Sequence, residues 1–96
     1  MDADTMNEQR MLAMLKALSD ANRLRIVELV ADTDNICALD ILEKLDITQP
    51  TLSHHMKALA SCGLITSSKE GRWRRYSISQ DAVRSFMSGL SCLLAS

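Results

Sequence analysis

Thr48-Gln-Pro-Thr-Leu-Ser-His-His-Met-Lys-Ala-Leu-Ala-Ser-Cys-Gly63 is the stretch whose reading decides the fold. Thr48 offers a capping hydroxyl, Pro50 falls in the first turn where its missing N–H is not needed, and Gly63 suits the left-handed position that closes a helix. The spacing predicts a helix over 49–61. Leu52, Met56 and Leu59 recur on its inner face, and Gln49, Thr51, Ser53, His54 and Lys57 fall on the others. That outward set is a hydrogen-bonding set. Gln pairs bidentately with adenine, Ser and Thr donate or accept, a His reaches a base edge or a phosphate, and Lys holds phosphate.

Working outward toward the N-terminus, Asp46-Ile-Thr48 separates this helix from a shorter one over 38–45. Two short helices joined by so brief a turn form a helix-turn-helix over 38–61, whose second helix enters the major groove of DNA. Before it, Asp32-Thr-Asp-Asn35 is a polar break and Ile36-Cys37 a short extended piece. A helix with Leu24, Ile26, Val27, Leu29 and Val30 as its apolar stripe precedes the break, capped from Ser19, Asp20 and Asn22, with Arg23, Arg25 and Glu28 facing out. In a first helix over 6–18, Met11, Leu12, Met14, Leu15 and Leu18 recur at helical spacing.

Toward the C-terminus, 64–69 and 73–78 are rich in β-branched, aromatic and hydroxyl residues and flank Glu70-Gly-Arg72, a turn of hairpin length. This predicts a two-stranded wing over 64–78, braced by Trp73, from which Lys69, Arg72, Arg74 and Arg75 grip phosphates or a narrow minor groove. Strand alternation puts Arg74 with Tyr76 and Ile78, opposite Trp73 and Arg75, so one arginine is expected to serve structure instead. Ser79 or Asp81 caps a last helix over 80–94, in which Val83, Phe86, Met87, Leu90, Leu93 and Leu94 repeat every three or four residues. That is more apolar face than a small monomer buries, so the first and last helices are expected to form a homodimer seam.

The expected architecture is mainly α, with about five helices and a small hairpin in one winged helix-turn-helix domain over 1–96. Aromatics are only 3% of the chain, so its core must come from aliphatic side chains and Met. Met11, Met14, Met56 and Met87 stand at core spacing and read as packing. The net charge of −1 conceals a division: residues 1–47 carry ten acids against five bases, and Lys57, Lys69, Arg72, Arg74 and Arg75 face only Glu70 in 48–78. A basic segment in an acidic chain is the footprint of a polyanion partner. No run approaches the roughly 18 apolar residues of a membrane span, and residues 1–9 lack the basic start and apolar run of a signal peptide, so a cytoplasmic protein with no membrane partner is expected. Neither a nucleophile triad order nor a phosphate-binding Gly loop nor a His-Glu-x-x-His helix is present, which argues against an enzyme. The rival from another class is a winged helix that docks protein instead of DNA.

Leu15-Lys-Ala-Leu-Ser-Asp-Ala-Asn-Arg-Leu-Arg-Ile26, Thr48-Gln-Pro-Thr-Leu-Ser-His-His-Met-Lys57 and Gly71-Arg-Trp-Arg-Arg-Tyr-Ser77 together resemble the arsenic-repressor/metal-sensor (ArsR/SmtB) family, in order and at family spacing. The resemblance implies a homodimeric repressor of double-stranded operator DNA, joined through its first and last helices and released by an inducer. It also implies DNA contacts at Gln49, Ser53 and His54.

The inducer is less legible. The arsenic- and lead-sensing branches carry Cys-x-Cys-Asp at the start of the third helix; here Cys37-Ala-Leu-Asp40 has Leu39 at the second thiolate. The zinc and nickel branches place an Asp and three His on the last helix, and here no His follows Asp81. Three cysteines, Cys37, Cys62 and Cys92, show no Cys-x-x-Cys spacing and read as free thiols. Cys37 is open to three readings: a packed remnant, one ligand of a rebuilt site for As(III) or another thiophilic ion with Cys62 or Cys92 of either protomer, or a redox thiol at a helix start. A persulfide- or disulfide-sensing branch uses one early and one late cysteine, which Cys37 and Cys92 resemble loosely. A repressor that has lost inducer sensing is the remaining alternative.

Overall fold

Short polar residues set the helix starts, because a helix opens with N–H groups that lack partners. In a computed structural model that describes residues 6–95, Asn7 accepts from Arg10 N at 2.8 Å and so opens α1 (Glu8–Leu18). Residues 1–5 and 96 of the expected domain lie outside the described residues. Asp20 accepts from Arg23 N at 3.1 Å and opens α2 (Ala21–Asp32). Strand β1 (Ile36–Cys37) runs directly into α3 (Ala38–Lys44), and Thr48 caps α4 (Gln49–Ser61). Strands β2 (Ile65–Glu70) and β3 (Trp73–Ile78) follow, and Ser79 accepts from Ala82 N at 3.2 Å at the head of α5 (Gln80–Ala95).

The wing carries a third strand. The antiparallel order is β1-β3-β2, with Ile36 opposite Tyr76, Cys37 opposite Arg75, and the hairpin paired from Ile65–Ile78 out to Glu70–Trp73. Its turn is therefore Gly71-Arg72 alone, with Gly71 at φ +61°. Buried Ile36 and Tyr76 join sheet to helices, so β1 ties the base of the wing to the start of α3.

Met14, Ile26, Val30, Ile41, Leu59 and Ile65 are fully buried and come from α1, α2, α3, α4 and β2, so one core links the helix-turn-helix to the wing. Two expectations about packing are corrected. Leu24, read as part of the buried stripe of α2, is 51% exposed; with Ile26 and Val30 turned inward, its position falls outside the covered arc. Met87, read as packing, is 58% exposed on α5, beside Leu93 and Leu94, which are exposed as well. Phe86 and Gly89 hold the inner face of that helix, and a β-carbon on Gly89 would lie 2.7 Å from Met11 Cε, so α1 and α5 approach closely there.

Candidate nucleic-acid interface

Helix α4 sorts its side chains by its own period. Leu52, His55, Met56 and Leu59 are buried, and Gln49, Thr51, Ser53, His54 and Lys57 are all exposed, as expected for a helix that presents a polar face. The two histidines divide, with ring centroids 5.7 Å apart: His54 faces out, and His55 is part of the core. Arg23 Nε donates to His55 Nδ1 at 3.1 Å. Nδ1 is thus the ring nitrogen engaged by Arg23. The bond runs from the first turn of α2 to the middle of α4 and fixes the rotation of the polar face about the helix axis. The sequence reading had placed Arg23 facing out and missed the pair. A signal was present, since His55 lies three residues after Leu52 and four before Leu59, on the apolar stripe.

Asp20 completes this corner. The bond from Arg23 N, with smaller help from the nearby His55 and Arg23 charges, holds its carboxyl below the ordinary carboxylate value against a modest opposing effect of desolvation.

The wing lies along one edge of α4. Gln49 and Ser53 share the walls of one groove with Lys69, Arg72 and Arg74, and Ser53 and Lys57 share a second with Ser67, Arg74 and Tyr76. Three of the wing cations expected to meet phosphate are thus brought beside the hydrogen-bonding face of α4. Trp73 lines the first of these grooves and is 38% exposed. Tyr76 closes their floor, and burial pushes its phenol pKa up.

Arg75 departs from the set. Its guanidinium forms an ion pair with Glu70 and donates from Nη1 to the carbonyl of Asn35 at 3.1 Å. It is the structural arginine that strand alternation foresaw: on the face opposite Arg74, it ties the hairpin to the loop before β1 and neutralises the one acid of the wing.

The cysteines occupy separate elements. Cys37 is half-buried at the junction of β1 and α3 and makes no side-chain capping bond. Cys62 is buried and donates its S–H to the carbonyl of Leu59 at 3.3 Å, as a small core residue does. Cys92 is exposed on α5. Among the described residues, no three His, Cys, Asp or Glu side chains gather in a way that could hold a metal ion. No helix among them is long and apolar enough to cross a membrane.

The family model for bacterial regulatory proteins of the arsR family matches residues 20–67, from the cap of α2 into β2. The chain is 35% identical to an arsenical resistance operon repressor of Staphylococcus aureus, over 92% of this chain and 84% of that one. It is 36% identical to the cadmium resistance transcriptional regulatory protein CadC of Listeria innocua, over 75% of this chain and 60% of that one. Among solved structures, an ArsR-like transcriptional regulator from Rhodococcus sp. RHA1 superposes with a TM-score of 0.80 at 25% identity, covering 91% of this chain and 81% of that one. With that match across α2 to β2, and a polar helix face flanked by wing cations, the chain belongs to the arsR family: it is a winged helix-turn-helix, DNA-binding transcriptional repressor, not an enzyme.

Proposed function

We propose that two copies of this chain bind a palindromic double-stranded operator in the cytoplasm and leave it when an inducer reaches a thiol. The observation that carries the DNA-binding half is the shared groove in which Gln49 and Ser53 of α4 stand beside Lys69, Arg72 and Arg74 of the wing. In this reading Gln49, Thr51, Ser53 and His54 contact bases, and Lys57 with the wing cations holds phosphates. The exposed Leu12 and Leu15 of α1 and Met87 and Leu94 of α5 support pairing through those helices.

For the inducer, the support is chemical. Cys37 stands where the polypeptide passes from the wing sheet into the first helix of the helix-turn-helix, so a group bound to its sulfur would press on both. The arsenical and cadmium regulators named above point to a thiophilic ion; the exposed Leu39 in place of a second thiolate points to a reduced ligand set or to oxidation of a thiol.

The test is binding of the reduced protein to DNA from its own upstream region at several salt concentrations, alone and with arsenite, with cadmium or lead, and with polysulfide or peroxide. Steep salt dependence and sequence preference are expected, with release by one class of thiol reagent and none in Cys37→Ser. Release by a thiophilic ion alone selects the metal site, and release by oxidant alone the redox switch. Indifference to all of them makes Cys37 a packed remnant, and an absence of DNA binding moves the wing to protein docking.

A further inference from the structure

Counted along the chain, the positive charge sits in residues 48–78, but the fold moves three cations of the acidic half to the recognition helix. Helix α4 has two long edges. Gln49, Ser53 and Ala60 border the wing on one; Ala58 and Ser61 border α1 on the other. Along that second edge lie two adjoining grooves that share Ala13, Ser61 and Cys62, the walls of one including Arg10 and those of the other Lys16 and Arg23. The polar face of α4 therefore lies between two cationic walls.

These cations are available. Among the described residues the ion pairs are Arg75–Glu70 and Arg84–Asp81, neither of which involves these grooves. Arg23 gives Nε to His55, and no described bond occupies its two Nη groups. Asp20, the acid beside Arg23, is occupied in capping α2. Arg10 has a second task, because its guanidinium lies 3.2 Å from where a β-carbon of Gly63 would stand, close to the carbonyl end of α4. Lys16 is exposed and stands in the last turn of its own helix, which makes it the cleaner probe.

A helix in the major groove lies between two phosphate strands, about 12 Å apart across the groove. The wing reaches one of them. We infer that Lys16, Arg10 and the free end of Arg23 form a second phosphodiester-binding wall, on the α1 side of α4, that holds the other strand. This wall rests on the reading of α4 as the DNA-reading helix.

Each phosphate contact steepens the salt dependence of binding, with a slope of about −0.9 per phosphate in log K against log salt. Lys16→Gln removes one contact per protomer, so in the dimer the slope should flatten by about 1.8. The affinity gap to the wild type should then shrink about twelvefold between 50 and 200 mM salt. Phosphates carry no sequence information, so operator and unrelated duplex should be affected alike. Arg10→Gln should act in the same direction. Arg84→Gln on α5 changes the net charge equally and should leave the slope unchanged. A wild-type slope retained in Lys16→Gln and Arg10→Gln overturns the second wall and leaves operator binding standing, as does an equal flattening by Arg84→Gln. A wild-type protein with no salt-dependent DNA binding overturns the wall and the DNA-reading role of α4 together.

Discussion

The side chain of Asp20 opens α2 and sits beside the Arg23–His55 bond that orients α4, so one carboxylate touches both the helix start and the support of the reading face. Its pKa lies below the ordinary value of 3.8 in the folded protein. A group whose folded pKa is depressed contributes stability that is present above the unfolded value and lost as pH falls through the folded one. Asp20→Asn keeps a capping oxygen and removes the charge. The wild type should therefore be the more stable of the two at about pH 7, and the gap should close below the ordinary carboxylate range. Urea midpoints at neutral and acid pH measure this, and a gap that persists in acid would show that the charge of Asp20 plays no part.

At the scale of elements, the wing depends on a turn that one residue makes possible. Gly71 adopts φ +61° with nothing within 4 Å of the position its β-carbon would take, so a side chain there meets no steric obstacle and only the backbone conformation is penalised. Gly71→Ala should cost about 1–2 kcal/mol, and Gly71→Asn clearly less, because Asn enters the left-handed region readily. Equal urea midpoints for the two variants would mean that the turn had rearranged. The hairpin was legible because runs rich in β-branched, aromatic and hydroxyl residues flank a Gly-containing turn of hairpin length. Strand β1 was legible as a short extended piece at Ile36-Cys37 but not as a partner of β3, because that pairing joins Ile36 to Tyr76, a contact between residues 40 apart. Three helix starts were legible from the capping side chains that mark them, at Asp20, Thr48 and Ser79. Asn7, which also caps, was passed over inside an apolar pattern that begins at Met6.

For the whole molecule, the polar face of α4 could be read from its period, but the cations beside it only in part. Lys69, Arg72 and Arg74 are neighbours of that face through a hairpin, a short-range relation that sequence shows. Arg10, Lys16 and Arg23 reach it through the packing of α1 and α2 on α4, and a segment-wise count of charge hides them in an acidic half. The same limit applies to the surface opposite the core. Met87 and Leu94, 58% and 75% exposed, extend the apolar side of α5 beyond what one chain covers. If two copies close over that side, their α4 helices become rigidly linked readers of half-sites about 34 Å apart. Linking two readers multiplies affinity by roughly 10²–10⁴ over either alone, provided both engage at once. Met87→Glu places a charge in the proposed seam while leaving Phe86 and Gly89 on the inner face untouched, so the single chain should keep its fold. Sedimentation at micromolar concentration should show monomers, and affinity for a full palindrome should fall by two or more of those powers of ten to that of a half-site. A dimer that survives Met87→Glu and Leu94→Glu would move the seam off α5, and the exposed Leu24 and Leu39 on α2 and α3 would then be the apolar surface to test next.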